Sequence, residues 1–159
     1  MVKRIEAPLD GKGRKIAVID TGWNDFIVSR LTEGAIGTLR RHGVTDDDIA
    51  HITVPGAYEL PLAVKTAAET GSYVAIVALG CVIRGATPHF DYVAGEAAKG
   101  ISAVMQSTGV PVAFGVLTTD TIEQAIERAG AKAGNKGAEA ATVAIEMAGL
   151  VEAIRKGTE

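Results

Sequence analysis

The sequence predicts an α/β fold of three layers, with a four-stranded parallel sheet between two sheets of helices. Three observations predict it. Short runs of branched aliphatic residues alternate along the chain with longer helical stretches. Strands that alternate with helices pair in parallel and are covered on both faces. The run from Tyr73 to Cys81 is apolar without a polar alternation, as a strand buried on both sides requires. At 159 residues and 47% hydrophobic, the chain has enough material for one sizeable core and too little for two.

Residues 1–14 are polar and read as a flexible N-terminal arm, leaving 15–159 as the single domain. Ile16 to Ile19 is the first strand, ending at Asp20-Thr21-Gly22. Asn24 or Asp25 can cap the helix that follows. On that helix Ile27, Leu31, Ala35 and Leu39 recur every four residues, one buried face, until His42-Gly43 ends it. Ile49 to Val54 is the second strand, stopped by Pro55-Gly56. A helix from about Leu60 to Thr70 ends at Gly71. Tyr73 to Cys81 is the third strand, and Pro88 to about Ser107 the third helix. Val112 to Leu117 is the fourth strand. A helix begins near Thr121 and is interrupted at Gly130 and Gly134, and an Ala-rich helix runs from about Lys136 to Ile154. The expected strand order is 2-1-3-4, a truncated flavodoxin-like arrangement.

Composition narrows the function classes. The net charge is −3 and no basic cluster exceeds Arg40-Arg41, which argues against a nucleic-acid surface. No apolar run approaches the length of a membrane span. Cys81 stands alone, so no internal disulfide forms and a reducing compartment fits. Met1 to Lys15 lacks the apolar centre of a signal peptide. The expected location is the cytoplasm.

In doubly wound sheets ligands bind beyond the carboxyl ends of the strands, and the unusual residues fall there. Trp23 follows the first strand. Gly56, Ala57 and Glu59 follow the second. Arg84 to His89 follow the third, and Thr118, Thr119 and Asp120 the fourth. Thr87 is a good N-cap and Pro88 suits the first helical position. The N–H groups of such a helix start carry partial positive charge, and Gly85 and Ala86 let a ligand approach the backbone. An anion cradle beside His89 points to chemistry on a phosphorylated small molecule. Each residue also has a plainer reading. Trp23 is also compatible with a surface anchor, Glu59 with a first-turn acid, His89 with a helix-start residue, and Arg128 and Lys136 with solvated charges. His42 and His51 read as structural. Asp46-Asp47-Asp48 reads as a solvated cap rather than a metal site, because consecutive residues do not converge on one ion. Cys81 reads as packed rather than reactive. Tyr58 and Tyr92 take no role.

Four longer stretches carry a family resemblance. They are Val-Pro-Gly-Ala-Tyr-Glu-Leu-Pro at 54–61, Val-Ile-Arg-Gly-Ala-Thr-Pro-His-Phe-Asp-Tyr-Val at 82–93, Gly-Val-Leu-Thr-Thr at 115–119, and Glu-Gln-Ala-Ile-Glu-Arg-Ala-Gly-Ala-Lys-Ala-Gly-Asn-Lys-Gly at 123–137. In this order they resemble the 6,7-dimethyl-8-ribityllumazine synthases of riboflavin biosynthesis, over nearly all of Ile16 to Leu150. The resemblance implies a transferase that condenses a ribitylamino-substituted aminouracil with 3,4-dihydroxy-2-butanone 4-phosphate, without metal or cofactor. It implies that Trp23, where many members carry Phe, stacks on the pyrimidine. That substitution also favours riboflavin as a ligand of the site. Gly56, Ala57 and Glu59 would serve the ribityl hydroxyls and the ring amine region, and Val82 and Ile83 would make backbone contacts to the pyrimidine. Gly85, Ala86 and Thr87 would cradle phosphate with Arg128, and His89 would transfer protons. Phe114 and Lys136 would come from a neighbouring subunit of a pentamer. The 128–137 turn, without insertions, resembles members that close into sixty-subunit icosahedral shells. Riboflavin synthase would be the partner in the pathway.

Three other classes compete. A flavin- or lumazine-binding protein with the same fold and little turnover would not need His89 and Arg128. A phospho-receiver would need an aspartate where Cys81 and Arg84 stand. A purely structural shell protein would not need His and Arg among the ligand loops.

Overall fold

Four strands and five helices alternate along the chain in the computed structural model, which describes residues 1–132 and 134–157. They are β1 (Ile16–Thr21), α1 (Asp25–Arg41), β2 (Ile49–Val54), α2 (Leu60–Glu69), β3 (Ala75–Ile83), α3 (His89–Thr108), β4 (Val112–Thr119), α4 (Ile122–Arg128) and α5 (Lys136–Gly157). All three strand pairings are parallel, and the order is β2-β1-β3-β4, as the sequence predicts. Ala133, within the 128–137 turn, and the last two residues of the 15–159 domain lie outside the described residues.

The two faces of the sheet bury separate cores. On one face Ile16, Val18 and Val77 meet Leu31 and Leu39 of α1 and Ile145 of α5. The two helices touch through backbone: a Cβ placed on Gly137 would lie 2.0 Å from the Leu31 carbonyl oxygen. Only glycine lets α5 approach α1 this closely. On the other face Ile19, Ile76 and Val116 meet Leu60 and Val64 of α2 and Ile101 of α3. Both faces of the central strands are thereby removed from water, which is why β3 is an unbroken apolar run.

The structure moves several boundaries. β3 runs to Ile83 and β4 to Thr119, so Val82, Ile83, Thr118 and Thr119 are strand residues rather than loop residues. Val82 pairs with Thr118 and Ile83 with Thr119. The ladder continues past the apolar run because backbone pairing does not depend on side-chain polarity. The N-cap of α3 is Pro88, not Thr87, with no side-chain cap, and the Asp91 N–H donates to the Pro88 carbonyl at 3.0 Å. Asn24 is the N-cap residue of α1, but its side chain does not cap the helix.

Residues 1–14 form no regular element; Ile5 and Ala7 lie beside Gly157 and Gly149 of α5, and the Gly11 N–H donates to the His42 carbonyl at the end of α1. Lys3 Nζ donates to the Gly157 carbonyl at 2.8 Å, and Arg14 Nη1 to Glu152 Oε2 at 2.7 Å. Hydrogen bonds from Lys156 and then Arg14 push the Glu152 carboxyl down to about 2.

His51 is held on the sheet. Its Nε2 lies 2.6 Å from Asp20 Oδ2, and the buried Asp20 carboxylate also accepts from Thr32 Oγ1 at 2.7 Å and Thr53 Oγ1 at 2.6 Å. His42 is the C-cap of α1. Asp46 pairs with Arg40, and Asp48 accepts from Thr45 Oγ1.

Candidate active site

The carboxyl ends of β1, β2 and β3 open into a cavity of about 530 Å³. Each wall comes from the segment that leaves one strand, the position where a parallel sheet presents its ligand site.

The β1 exit carries Trp23. The Gly22 N–H donates to the Val54 carbonyl at 2.8 Å and the Trp23 N–H to the Pro55 carbonyl at 3.0 Å, so the loop is sewn to the end of β2. The indole rests on Gly56: a Cβ there would lie 2.6 Å from Trp23 Cε3. Gly56 has an extended backbone that any residue adopts, so the glycine is required by space and not by dihedral. Trp23 is 64% exposed, leaving an aromatic surface available to a flat ligand. Asn24 follows with φ 57°, the one described non-glycine residue in the left-handed region. Its Nδ2 donates to the Cys81 carbonyl at 2.8 Å, which ties the Trp23 loop to β3.

The β2 exit bends at Gly56 into a single 3-10 turn, Ala57–Glu59, before α2. Ala57 is buried against the core. Glu59 points into the cavity wall, and its Oε2 is buried without a hydrogen-bond partner. A buried carboxylate oxygen in that condition is costly unless something donates to it. A hydroxyl or amine of a ligand would do so.

The β3 exit forms the third wall. Val82 and Ile83 line the cavity at the strand end, followed by Gly85 and Thr87, then His89, Phe90 and Tyr92 on α3. Among the described residues, the backbone N–H groups of Gly85, Ala86, Thr87, His89 and Phe90 make no hydrogen bond within the chain. Because Thr87 does not cap α3, its hydroxyl stays free as well. Five unpaired donors around the start of a twenty-residue helix make a cradle for an anion. The His89 ring is exposed at this rim and has no partner in the chain. Cys81 also lines the cavity, but burial pushes its thiol up to about 11, so it stays protonated.

The structure does not bring every predicted residue to this cavity. Ala86 lies in the cradle loop but not on the lining. The β4 exit does not reach it: Asp120 binds Arg84 Nε at 2.9 Å instead. Phe114 is exposed on β4, Arg128 turns back so that Nη1 donates to the Gln124 carbonyl, and Lys136 pairs with Glu139. None of these three lines the cavity. Sequence reasoning gave no role to Asn24 beyond a cap, and none to Tyr58, Phe90 or Tyr92, which line the cavity with it. The tyrosines carried a usable signal, since Tyr58 is next to Glu59 and Tyr92 is one turn after His89. Asn24 carried none, because its partner is 57 residues away.

A profile of the family described as 6,7-dimethyl-8-ribityllumazine synthase matches residues 13–152. The chain belongs to this lumazine synthase family. The match spans β1 through most of α5, so it includes all the strands and every wall of the cavity. Lumazine synthases are enzymes of riboflavin biosynthesis. No described helix is long and apolar enough to cross a membrane.

Proposed function

We propose that the chain condenses 5-amino-6-(D-ribitylamino)uracil with 3,4-dihydroxy-2-butanone 4-phosphate to 6,7-dimethyl-8-ribityllumazine, releasing phosphate and water. One observation carries the reading. A single cavity joins an exposed aromatic ring, a buried unpartnered acceptor, and a set of unpaired N–H donors beside a free imidazole. Those are the complements of a flat aminouracil, a polyol chain and a phosphate.

Trp23 offers its face to the pyrimidine, and the ends of β3 at Val82 and Ile83 offer backbone to its edge. Glu59 accepts from the ribityl hydroxyls or the ring amine, with Gly56 and Ala57 shaping that end. The phosphate sits on Gly85, Ala86 and Thr87, where backbone donors and the helix start favour negative charge. The amine of the uracil attacks the butanone carbonyl, and water leaves as the imine forms. Phosphate is then eliminated, tautomerisation turns the resulting enol into a second carbonyl, and the second nitrogen attacks it and closes the ring with loss of a second water. Each step moves a proton, and His89, the unpartnered imidazole at the cradle rim, is the group to carry it.

Phe114, Arg128 and Lys136 lie outside the cavity of their own chain, which supports a site completed by an adjacent copy. We assign Arg128 to the phosphate, because a guanidinium fork suits that anion better than an ammonium. The assembly we propose is a pentamer, extended to a sixty-subunit shell through the insertion-free 128–137 turn. The test is to mix both substrates with the purified protein and follow lumazine fluorescence, with light scattering for mass. Turnover by a particle of sixty subunits supports the whole reading. Tight binding of lumazine or riboflavin without turnover would favour a binding protein. Turnover by a particle of five or ten subunits would remove the shell alone.

A further inference from the structure

Arg84 lies between the cavity and the β4 exit and takes no part in the roles described so far. Its backbone N–H donates to the Thr119 carbonyl at 2.8 Å, fixing the residue on the end of β4. Its side chain reaches forward across its own loop. Nε donates to Asp120 Oδ1 at 2.9 Å, Nη1 to Asp91 Oδ1 at 3.4 Å, and the guanidinium carbon lies 4.3 Å from the centre of the Phe90 ring. Phe90 and Asp91 are the residues after His89 in the first turn of α3. Between Arg84 and that turn lie only Gly85, Ala86, Thr87 and Pro88. Among the described residues, Thr87 has no side-chain hydrogen bond and Gly85 has no neighbour where a Cβ would stand. The cradle is thus a short, internally unbraced loop whose two ends are joined by one side chain.

We propose that Arg84 is a positioning residue: it clamps the start of α3 to the end of β4 and so sets the distance between the phosphate cradle and His89. The proposal rests on the phosphate role of Gly85 to Thr87. Exposed ion pairs of this kind add little to stability one by one. Their combined effect is geometric. A planar guanidinium satisfies two carboxylates and an aromatic face at once, and a lysine ammonium cannot copy that arrangement. Two carboxylates already occupy its Nε and Nη1 donors.

Two variants separate positioning from direct contact. Arg84→Met removes the clamp and keeps the stem. Asp91→Asn combined with Asp120→Asn leaves the guanidinium in place but releases it. A positioning residue makes both variants raise the KM for the butanone phosphate by about tenfold while the KM for the aminouracil holds within about twofold. The inhibition constant of inorganic phosphate rises in parallel. Arg84→Lys recovers less than half of the loss. Hydrogen–deuterium exchange of the 84–92 peptide quickens in both variants while that of α1 does not. If releasing Arg84 in the double variant leaves phosphate affinity unchanged or tightens it, the clamp is refuted. Unchanged KM values in Arg84→Met also refute it. Should Arg84→Met fail to fold, the double variant alone decides. Inorganic phosphate binding by calorimetry reads the clamp even if the wild type turns nothing over, an outcome that would sink the proposed reaction instead.

Discussion

Two polar groups sit near the carboxyl end of the same sheet and are treated in opposite ways. The Asp20 carboxylate is buried and accepts from Thr32, Thr53 and His51, so its acceptors are filled by its own chain. The segment from Gly85 to Phe90 holds five backbone donors with no partner in the chain, and across the cavity Glu59 Oε2 is an acceptor with none. A polar group that the fold completes belongs to the fold. One that the fold leaves open is available to a partner from outside, and for the buried Glu59 Oε2 leaving it unmade is costly. The difference separates two histidines that composition alone cannot rank: His51 is engaged by Asp20, while His89 stands free beside the cradle.

The sharpest way to break this comparison is to remove the free histidine. His89→Ala is expected to lower kcat by about 100-fold, the low end of the range for a general acid–base residue. The low end applies because an amine and a carbonyl condense slowly unaided. The melting temperature should stay within a degree or two. Steady-state kinetics beside calorimetry makes the check, and an undiminished kcat would return His89 to a helix-start residue.

Arg128→Ala sharpens the open side. A charge-assisted hydrogen bond contributes about 1.5–3 kcal/mol, which predicts a rise of roughly 10- to 100-fold in the KM for the butanone phosphate. The aminouracil KM should move far less. Equal changes in both would assign Arg128 to structure, through its bond to the Gln124 carbonyl.

Asp20→Ala tests the closed side. It leaves the buried Thr32 hydroxyl without its acceptor, and the expected cost is about 2–3 kcal/mol of stability. Thermal unfolding should show it as a lower midpoint, while kcat per folded protein holds within about twofold. A selective loss of turnover at unchanged stability would move the Asp20 group into the site.

The fold was legible because its signals are local and periodic. The four-residue recurrence from Ile27 to Leu39 marks a buried helix face, and the run into Cys81 marks a two-sided strand. Boundaries slipped where the signal changes but the backbone does not, as at Thr118 and Thr119, which continue the ladder opposite Val82 and Ile83. Cavity-lining residues that stand just past a strand end, such as Trp23 and Glu59, were legible from position. The bracing was not. Asn24 takes a left-handed backbone in exchange for a bond to the Cys81 carbonyl, and Arg84 meets Asp120 from 36 residues away. Neither distance is written in any local pattern. Phe114, Arg128 and Lys136 stand outside the cavity of their own chain, and the role proposed for them depends on a second copy.

Cys81 offers the finest test, because it lies on the open cavity yet is itself closed. It is only 6% exposed, and burial lifts its thiol to about 11, well above the ordinary value of 9.0. The charged form is the one disfavoured, so the folded protein holds its proton more tightly than the unfolded chain does. Any stability linked to this group is therefore complete below about pH 9 and fades as the pH rises through about 11. At pH 8 the thiolate is about one part in a thousand in the folded protein and about one in ten when unfolded. Alkylation by iodoacetamide should accordingly be at least about 100-fold slower in the native protein than in denaturant, rising about tenfold per pH unit up to pH 10. Mass spectrometry of timed, quenched samples follows it. Native labelling at the rate of a free thiol at pH 8 would mean that the cavity floor opens to solvent and that the Asn24–Cys81 tie does not hold the Trp23 loop shut.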